Sequence, residues 1–157
     1  MKHFYINFLL IGLLLSQSRI GDWNAYTSPL HINNLTEYNN LIICATDGGL
    51  LLYNKNQNSF STLTVVDQLE GTAVNVVEVG NDSLIWLGGV SPHGFVQIYD
   101  INNHQSIAQF DFGLTEIIDI SISDSICFVA FLDNQDWGVM EFIITENEWI
   151  YRDIYRN

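Results

Sequence analysis

Three apolar runs that repeat one another decide the fold of this chain: LIICAT at Leu41–Thr46, LIWLGG at Leu84–Gly89 and ICFVAF at Ile126–Phe131. Their first residues, at positions 41, 84 and 126, are 43 and 42 residues apart. Each run is followed by a turn that ends in glycine, by a second apolar run that carries an aromatic, and by a third run that closes the unit. The glycines are Gly49, Gly94 and Gly138, and the aromatics are Tyr53, Tyr99 and Phe142.

A period of about 40–45 residues with four short strands is typical of a β-propeller blade. The sequence therefore predicts an all-β fold with about three four-stranded blades, at residues 30–64, 74–112 and 117–154. No helical period follows residue 18. Closed propellers have about four to eight blades, so three blades make an incomplete ring. We expect the chain to be the N-terminal piece of a longer propeller; the alternative is that copies assemble into a closed ring.

The first eighteen residues have the pattern of a secretory signal peptide. Lys2 and His3 give a basic start, Phe4–Leu15 is apolar, and Ser16 and Ser18 place small residues before the cleavage point. After residue 18 no apolar run approaches the ~20 residues that a spanning helix needs. Residues 1–18 are thus predicted to be removed, and residues 19–157 to reach the periplasm, the cell surface or the medium without a membrane span.

The charge of the chain excludes several classes of partner. The sequence has 18 Asp and Glu against 5 Lys and Arg, which gives a formal net charge of −13. Such a surface repels phosphate backbones and anionic lipid surfaces, so nucleic-acid binding is not expected.

Metal, thiol and cofactor chemistry have little support in the sequence. The histidines lack metal-ligand spacing, and the oxygen-rich run Asp133–Asp136 lacks the alternating ligands, the glycine and the distal Glu of a calcium loop. Weak calcium binding is the alternative there. Cys44 and Cys127 lie two blades apart, so we expect two buried, unpaired thiols. We predict no cofactor, no metal site and no catalytic residue set.

Aromatic residues that recur with the blades are expected to pack between them. Trp23, Trp86 and Trp149 form one such set and Tyr53, Tyr99 and Phe142 another. Trp137 breaks this repeat and lies beside the predicted loop between the second and third strands of blade three.

The loops between second and third strands and the connections between blades should emerge at one rim, because strands alternate in direction from the centre outward. Longer loops on a rigid scaffold commonly carry binding groups. The residues predicted to form a binding surface at this rim are Trp137, His93, Asp133, Asp136, Asp47 and Glu116. The chemistry of these side chains predicts a cationic or polar partner with Trp137 as its apolar anchor.

Short motifs resemble a known family of repeats. Residues 81–89, NDSLIWLGG, are similar to the D-x-x-I-W-I-G-T core of two-component-regulator propeller repeats, and Ala45–Leu50 with Tyr53 resembles the segment that follows it. The start, with Trp23, Tyr26–Ser28, Ile32 and Leu35, is similar to the first propeller of PorZ-type proteins of the type IX secretion system. Blade three lacks the Trp and the Gly-Thr ending of the motif. The resemblance implies an exported sensory or scaffold module of a bacterial envelope.

Two classes of function follow as hypotheses. In the first, the chain is a non-enzymatic propeller module that binds a protein, peptide or glycan, within envelope secretion or signalling. In the second, it is part of a propeller enzyme, a lyase or glycosidase, whose catalytic residues lie in other blades. The absence of a catalytic motif favours the first.

Overall fold

The computed structural model describes residues 27–80, 83–145 and 148–157. The predicted signal peptide and the segment with Trp23 lie outside the described residues, as do residues 81–82 and 146–147.

Twelve strands form three antiparallel sheets of four, each with strands in sequence order. The sheets, called blades 1 to 3, comprise β1–β4, β5–β8 and β9–β12. The strands are β1 Ile32–Tyr38, β2 Leu41–Thr46, β3 Gly49–Asn54, β4 Ser59–Leu63, β5 Val74–Val79, β6 Leu84–Gly89, β7 Gly94–Asp100, β8 Gln105–Leu114, β9 Glu116–Ser123, β10 Ile126–Asp133, β11 Asp136–Thr145 and β12 Glu148–Arg156. The predicted class, three four-stranded blades that do not close into a ring, is confirmed within the described residues.

Strand boundaries follow turn chemistry. The turn between β2 and β3 needs glycine, because Gly49 has a φ of +110° and a Cβ there would lie 2.2 Å from the carbonyl oxygen of Leu63. A 3₁₀ turn at Val65–Asp67, which the sequence did not predict, interrupts the connection between blades 1 and 2. Thr64 caps it: its hydroxyl accepts from Val66 N, and its own N–H donates to Asp67 Oδ2 at 2.9 Å.

Each blade has two faces, because successive side chains of a strand point to opposite sides. We call the face toward the next blade along the chain the forward face and the opposite one the rear face. Ile43 and Leu52 on the forward face of blade 1 pack against Ile85, Leu87 and Tyr99 on the rear face of blade 2. This contact forms the first of two apolar cores.

The second core lies between blades 2 and 3 and is rich in aromatics. Trp86, which is fully buried on the forward face of blade 2, meets Phe142 and Trp149 of blade 3 edge-on, with centroids 5.3 Å and 5.1 Å away. Phe112 and Tyr151 lie 5.0 Å apart across the same boundary. The predicted inter-blade packing of Trp86, Trp149 and Phe142 is therefore present, because T-shaped pairs of large rings fill this space.

Tyr53 departs from that prediction. It lies on the rear face of blade 1, which no described blade covers, and it stacks only on its neighbour Phe60, 4.8 Å away. Its repeat equivalent Tyr99 is fully buried because blade 1 covers it.

Both cysteines are free and buried, as expected. Burial raises the pKa of the Cys44 thiol, and burial followed by the nearby Glu78 carboxylate raises the pKa of Cys127 to about 12. Both thiols therefore stay protonated and inert near neutral pH. Among the described residues, no helix combines the length and apolar character needed to cross a membrane.

Candidate functional site: the loop rim

The strand registers place five connections at the same end of the three blades. β2 pairs with β3 up to Thr46 and Gly49, and the start of β1 and the end of β4 lie beside that turn. The same arrangement recurs in blades 2 and 3. We call this end the loop rim; its connections are residues 47–48, 64–73, 90–93, 115 and 134–135.

Two asparagines join neighbouring blades at this rim. Asn33 and Asn75 each occupy a β-bulge in the first strand of a blade. The Asn33 amide donates to Val74 O at 3.0 Å, and the Asn75 amide donates to Ile117 O at 3.0 Å. Because the bulge leaves one residue out of the ladder, that side chain is free to reach the next blade. Sequence reasoning missed both; the signal was the pair I-N-N and V-N-V at matching repeat positions.

Two predicted rim carboxylates are held by these asparagines. Asp47 Oδ1 accepts from Asn33 Nδ2 at 3.0 Å, and its Oδ2 lies 3.3 Å from His31 Nδ1. Glu116 Oε1 accepts from Asn75 Nδ2 at 2.8 Å. Both carboxylates already accept hydrogen bonds within the fold, so they are less available to a binding partner.

Blade 3 brings two other predicted residues close to Glu116. Asp133 is the last residue of β10, beside Leu132, which pairs with Glu116. Asp133 Oδ2 accepts from Arg156 Nη1 at 2.8 Å, so this carboxylate is also paired. Asp136 begins β11 and is exposed. The two strands are joined by residues 134–135 alone, so the expected longer loop of blade three is a tight turn.

Trp137 lies near the start of β11, beside the connection between the second and third strands as predicted, although that connection is a short turn. It faces the same side as Val139 and Glu141, which is the forward face of blade 3, and it is 56% exposed. With Tyr155 and Arg156 it lines an open cavity of about 250 Å³ at the start of β11 and the end of β12.

His93 lies in the loop at residues 90–93, and its Nε2 is 3.1 Å from Asp111 Oδ2. Asp111 lines a second cavity of about 200 Å³ together with Glu70, Phe95, Gln109 and Phe110. Two acidic residues beside one small cavity suit a cationic group. Asp111 escaped the sequence analysis because it lies mid-strand, eighteen residues from the histidine it meets.

Two buried side chains of β7 hold the connection that carries Glu70 by hydrogen bonds to its backbone. Gln97, fully buried, accepts from Glu70 N at 3.0 Å and donates to Gln68 O at 2.8 Å. Tyr99 OH donates to Asp67 O at 2.8 Å, and burial, with the nearby acidic charges, raises its pKa to about 12. The cavity wall at Glu70 is therefore pre-formed rather than a free loop.

The predicted rim residues do not form one cluster. Asp47 lies on blade 1, His93 on blade 2, and Asp133, Asp136, Glu116 and Trp137 on blade 3. Within the part of the chain that the structure describes, no group of three or more His, Cys, Asp or Glu is placed to hold a metal ion.

At the opposite end of the blades, burial raises the pKa of the Glu78 carboxyl group, and the charge of Asp119 on the next blade adds to this shift. Cys127 is close enough for its own pKa to respond to Glu78.

Neither a protein-family model nor a curated protein matches this sequence. Solved structures do match in fold. The extracellular domain of the putative hybrid two-component system BT3049 from B. thetaiotaomicron has a TM-score of 0.61 and 12% identity, over 87% of this chain and 20% of that one. A chain of the mitotic checkpoint complex gives 0.58 and 17%, over 85% and 45%.

A third match is the computationally designed Ika4 protein, with a TM-score of 0.58 and 14% identity, over 83% of this chain and 76% of that one. The chain thus spans between a fifth and three quarters of the lengths of these three structures. At such identities the likeness bears on the fold alone. Together with the three four-stranded sheets, it shows a β-propeller-type fold.

Proposed function

We propose that this chain is an exported, non-enzymatic β-propeller module that binds a protein or peptide through its loop rim. The fold supports this, since connections on a rigid scaffold are where binding groups concentrate. Two of the similar structures belong to proteins that signal or assemble, a two-component system and a checkpoint complex.

The observation that carries the proposal is the cavity beside His93. Glu70 and Asp111 bring two acidic residues to one cavity, and Gln97 holds the backbone of Glu70 in place. A lysine or arginine side chain of a partner would gain ion pairs there. Asp111 lies near His93 as Asp47 lies near His31, so the cavity is preferred because it adds a second acidic residue, Glu70, and an enclosed shape; the exposed Asp136 is the other candidate for an incoming cation.

The cellular role extends the same proposal. The apparent signal peptide and the extracellular two-component neighbour support export to the periplasm, cell surface or medium. The motif resemblance supports a place in envelope signalling or in a PorZ-like part of type IX secretion. A glycan in place of a peptide, or turnover of a substrate, are the outcomes that would redirect the proposal.

A displayed library of random peptides tests it directly. Selection on the purified chain should enrich peptides with lysine or arginine, and the affinity of an enriched peptide should fall at least about tenfold in Glu70→Gln and in Asp111→Asn. Binding should also weaken with added salt, since the contact is between opposite charges. Asn102→Ala, at the opposite end, is the matched control and should change nothing.

Trp137→Ala separates the two cavities. If the partner reaches the apolar anchor predicted from the sequence, this change weakens binding by about 1–2 kcal/mol, the size of a modest hot spot. Two results would overturn the proposed site: enrichment of acidic or uncharged peptides, or an affinity of Glu70→Gln and Asp111→Asn for the peptide that equals that of the wild type.

A further inference from the structure

The two inter-blade contacts are built in the same way, and both halves of a third such contact, one on blade 1 and one on blade 3, are uncovered in the part of the chain that the structure describes. In both contacts a forward face meets a rear face. The forward face of blade 3 and the rear face of blade 1 have no described blade against them. Both carry exposed apolar side chains: Phe128 is 43% exposed on the first face, and Phe60 is 69% exposed on the second.

The uncovered residues are the repeat equivalents of residues that pack inside the chain. Phe128 is the third residue of β10, as Trp86 is of β6. Tyr53 pairs with Ile42, the second residue of β2, and Phe142 pairs with Cys127, the second of β10. Since Trp86 packs on Phe142 at 5.3 Å, Phe128 is built to pack on the equivalent of Phe142, which is Tyr53.

The first strands agree with this pairing. Ile118 occupies the bulge position of β9, where Asn33 and Asn75 stand in the other blades. Those asparagines bond the first strand of the next blade, at Val74 and Ile117. Ile118 would face the equivalent position, Ile32, and both are about half exposed. Asn33 and Asn75 donate to backbone carbonyls, whereas Ile118 has no donor, so the third contact would lack this hydrogen bond and have an apolar side-chain contact in its place.

We propose that a second copy of this chain covers both faces at once. Blade 3 of each copy packs its forward face on the rear face of blade 1 of the other, and the two copies of three blades close a ring of six. Six lies within the range of about four to eight blades that propellers use. The contact joins two different surfaces, so the assembly is a closed dimer only if two successive contacts bring the chain back to the first copy; otherwise it grows without end.

The central carboxylate of the forward face of blade 3 is already paired within the chain, whereas Asp119, which pairs with Ala130 on the same face, is exposed and its charge opposes the contact. Glu141, 6% exposed at its centre, accepts from Arg152 Nη1 at 2.9 Å and from Tyr155 OH at 2.7 Å. A fully paired group tolerates removal from water better than a lone carboxylate does. Self-repulsion of a chain with a net charge of −13 opposes the dimer, so added salt should strengthen it. Added salt should instead weaken the binding of a basic peptide at the loop rim.

Sedimentation or light scattering of the purified chain, over a range of concentrations, tests the ring. The wild type should reach a dimer and no larger species. Phe128→Asp and Phe60→Asp should each shift it to monomer, raising the dissociation constant about a hundredfold, because each change occurs in both contacts and about tenfold is lost at each. Val66→Asp, exposed on the 3₁₀ turn, is the control and should remain dimeric.

Mixing the two variants gives the sharpest result. A mixed dimer contains one contact with both substitutions and one contact with neither. Because the first substitution already removes the packing that the second would remove, the damaged contact should lose about tenfold rather than about a hundredfold, and an equimolar mixture of Phe128→Asp and Phe60→Asp should recover dimer that neither forms alone. A dimer made from two copies of one face would respond to only one of the substitutions, and mixing would not recover it.

Several outcomes overturn the proposal: a wild-type monomer at all concentrations, which assigns the faces to another protein or chain segment; open-ended growth; sensitivity to one substitution only; or no recovery on mixing. Thermal unfolding of each variant checks that it is folded. If Phe60→Asp fails to fold, Leu35→Asp, 62% exposed on the same face, takes its place.

Discussion

Blade 2 and blade 3 share one strand pattern but differ in what covers them. Blade 2 lies between two blades, and its forward face carries Trp86 and, paired with it, Ile98. Among the described residues, blade 3 is covered by another blade on its rear face only, and the same two positions hold Phe128 and Glu141. A buried aliphatic residue has become a carboxylate with its own arginine and tyrosine.

The repeat therefore produces strands in every blade, but its apolar side chains become buried core only where another blade packs against them. Terminal units of repeat proteins commonly carry a more polar outer face, because apolar surface left in water favours association. Blade 3 goes part of the way: Glu141 is polar, while Phe128 and Ile118 remain apolar. That mixture fits a face that is covered by a second copy and tolerates exposure before assembly.

The largest effect should come from the aromatic core. Trp86→Ala should lower the free energy of unfolding by about 3–5 kcal/mol, because it empties the space between Phe142 and Trp149. Phe128→Ala, at the matching position, should cost about 1 kcal/mol or less in dilute monomer, since a surface substitution disturbs little packing. Denaturant unfolding of both variants measures the gap.

Equal losses for the two variants would mean that Phe128 is packed as tightly as Trp86 within a single chain. The comparison between covered and uncovered faces would then fail.

An intermediate effect is expected at Glu141. Arg152→Ala leaves this buried carboxylate with Tyr155 alone, and should cost about 1–3 kcal/mol of stability, the range for lost bonds to charged groups. Glu141→Leu together with Arg152→Ala restores the aliphatic residue of the other blades and removes the charge. The double variant should therefore be more stable than Arg152→Ala by itself, in the same unfolding assay.

If the double variant is the less stable of the two, the carboxylate contributes by itself, and the account of Glu141 as a polar replacement for a core residue is wrong.

The smallest effect concerns the bulge residues. Asn75→Ala removes the bonds to Glu116 and to Ile117 O, and should cost about 1 kcal/mol. The reciprocal change, Ile118→Asn, places an amide on a face that no described blade covers and should stay within about 0.5 kcal/mol of the wild type in dilute solution. Thermal or denaturant unfolding of the pair shows whether the bulge is a link between blades.

A loss of about 1 kcal/mol or more in Ile118→Asn, or none in Asn75→Ala, would contradict this reading of the two bulges.

Much of the fold could be predicted from sequence because each strand carries its own local signal. The apolar runs Leu41–Thr46 and Leu84–Gly89 have the same bounds as β2 and β6. The first strand, β1, has no such run, because its residues are mostly polar and alternate weakly. The 3₁₀ turn was missed because a helix of three residues has no period to detect.

The candidate site was predicted only in outline. The rim and several of its carboxylates follow from the order of the strands. The partners of those carboxylates do not: Asp47 meets Asn33 across a hairpin, and Arg156 returns to Asp133 from the end of the last strand. Such pairs depend on register and on bulges, which shift a side chain from one neighbour to another.

By itself the sequence determined the repeat, the strand type and the alternation of faces, because these depend on residues close together in the chain. Only the tertiary structure decided which repeated aromatic is core and which is exposed. Tyr99 and Tyr53 lie on strands of similar sequence, but Tyr99 is buried because blade 1 covers it, whereas no described blade covers Tyr53. Burial depends on the neighbouring blade, and the local sequence pattern does not indicate whether that blade is present.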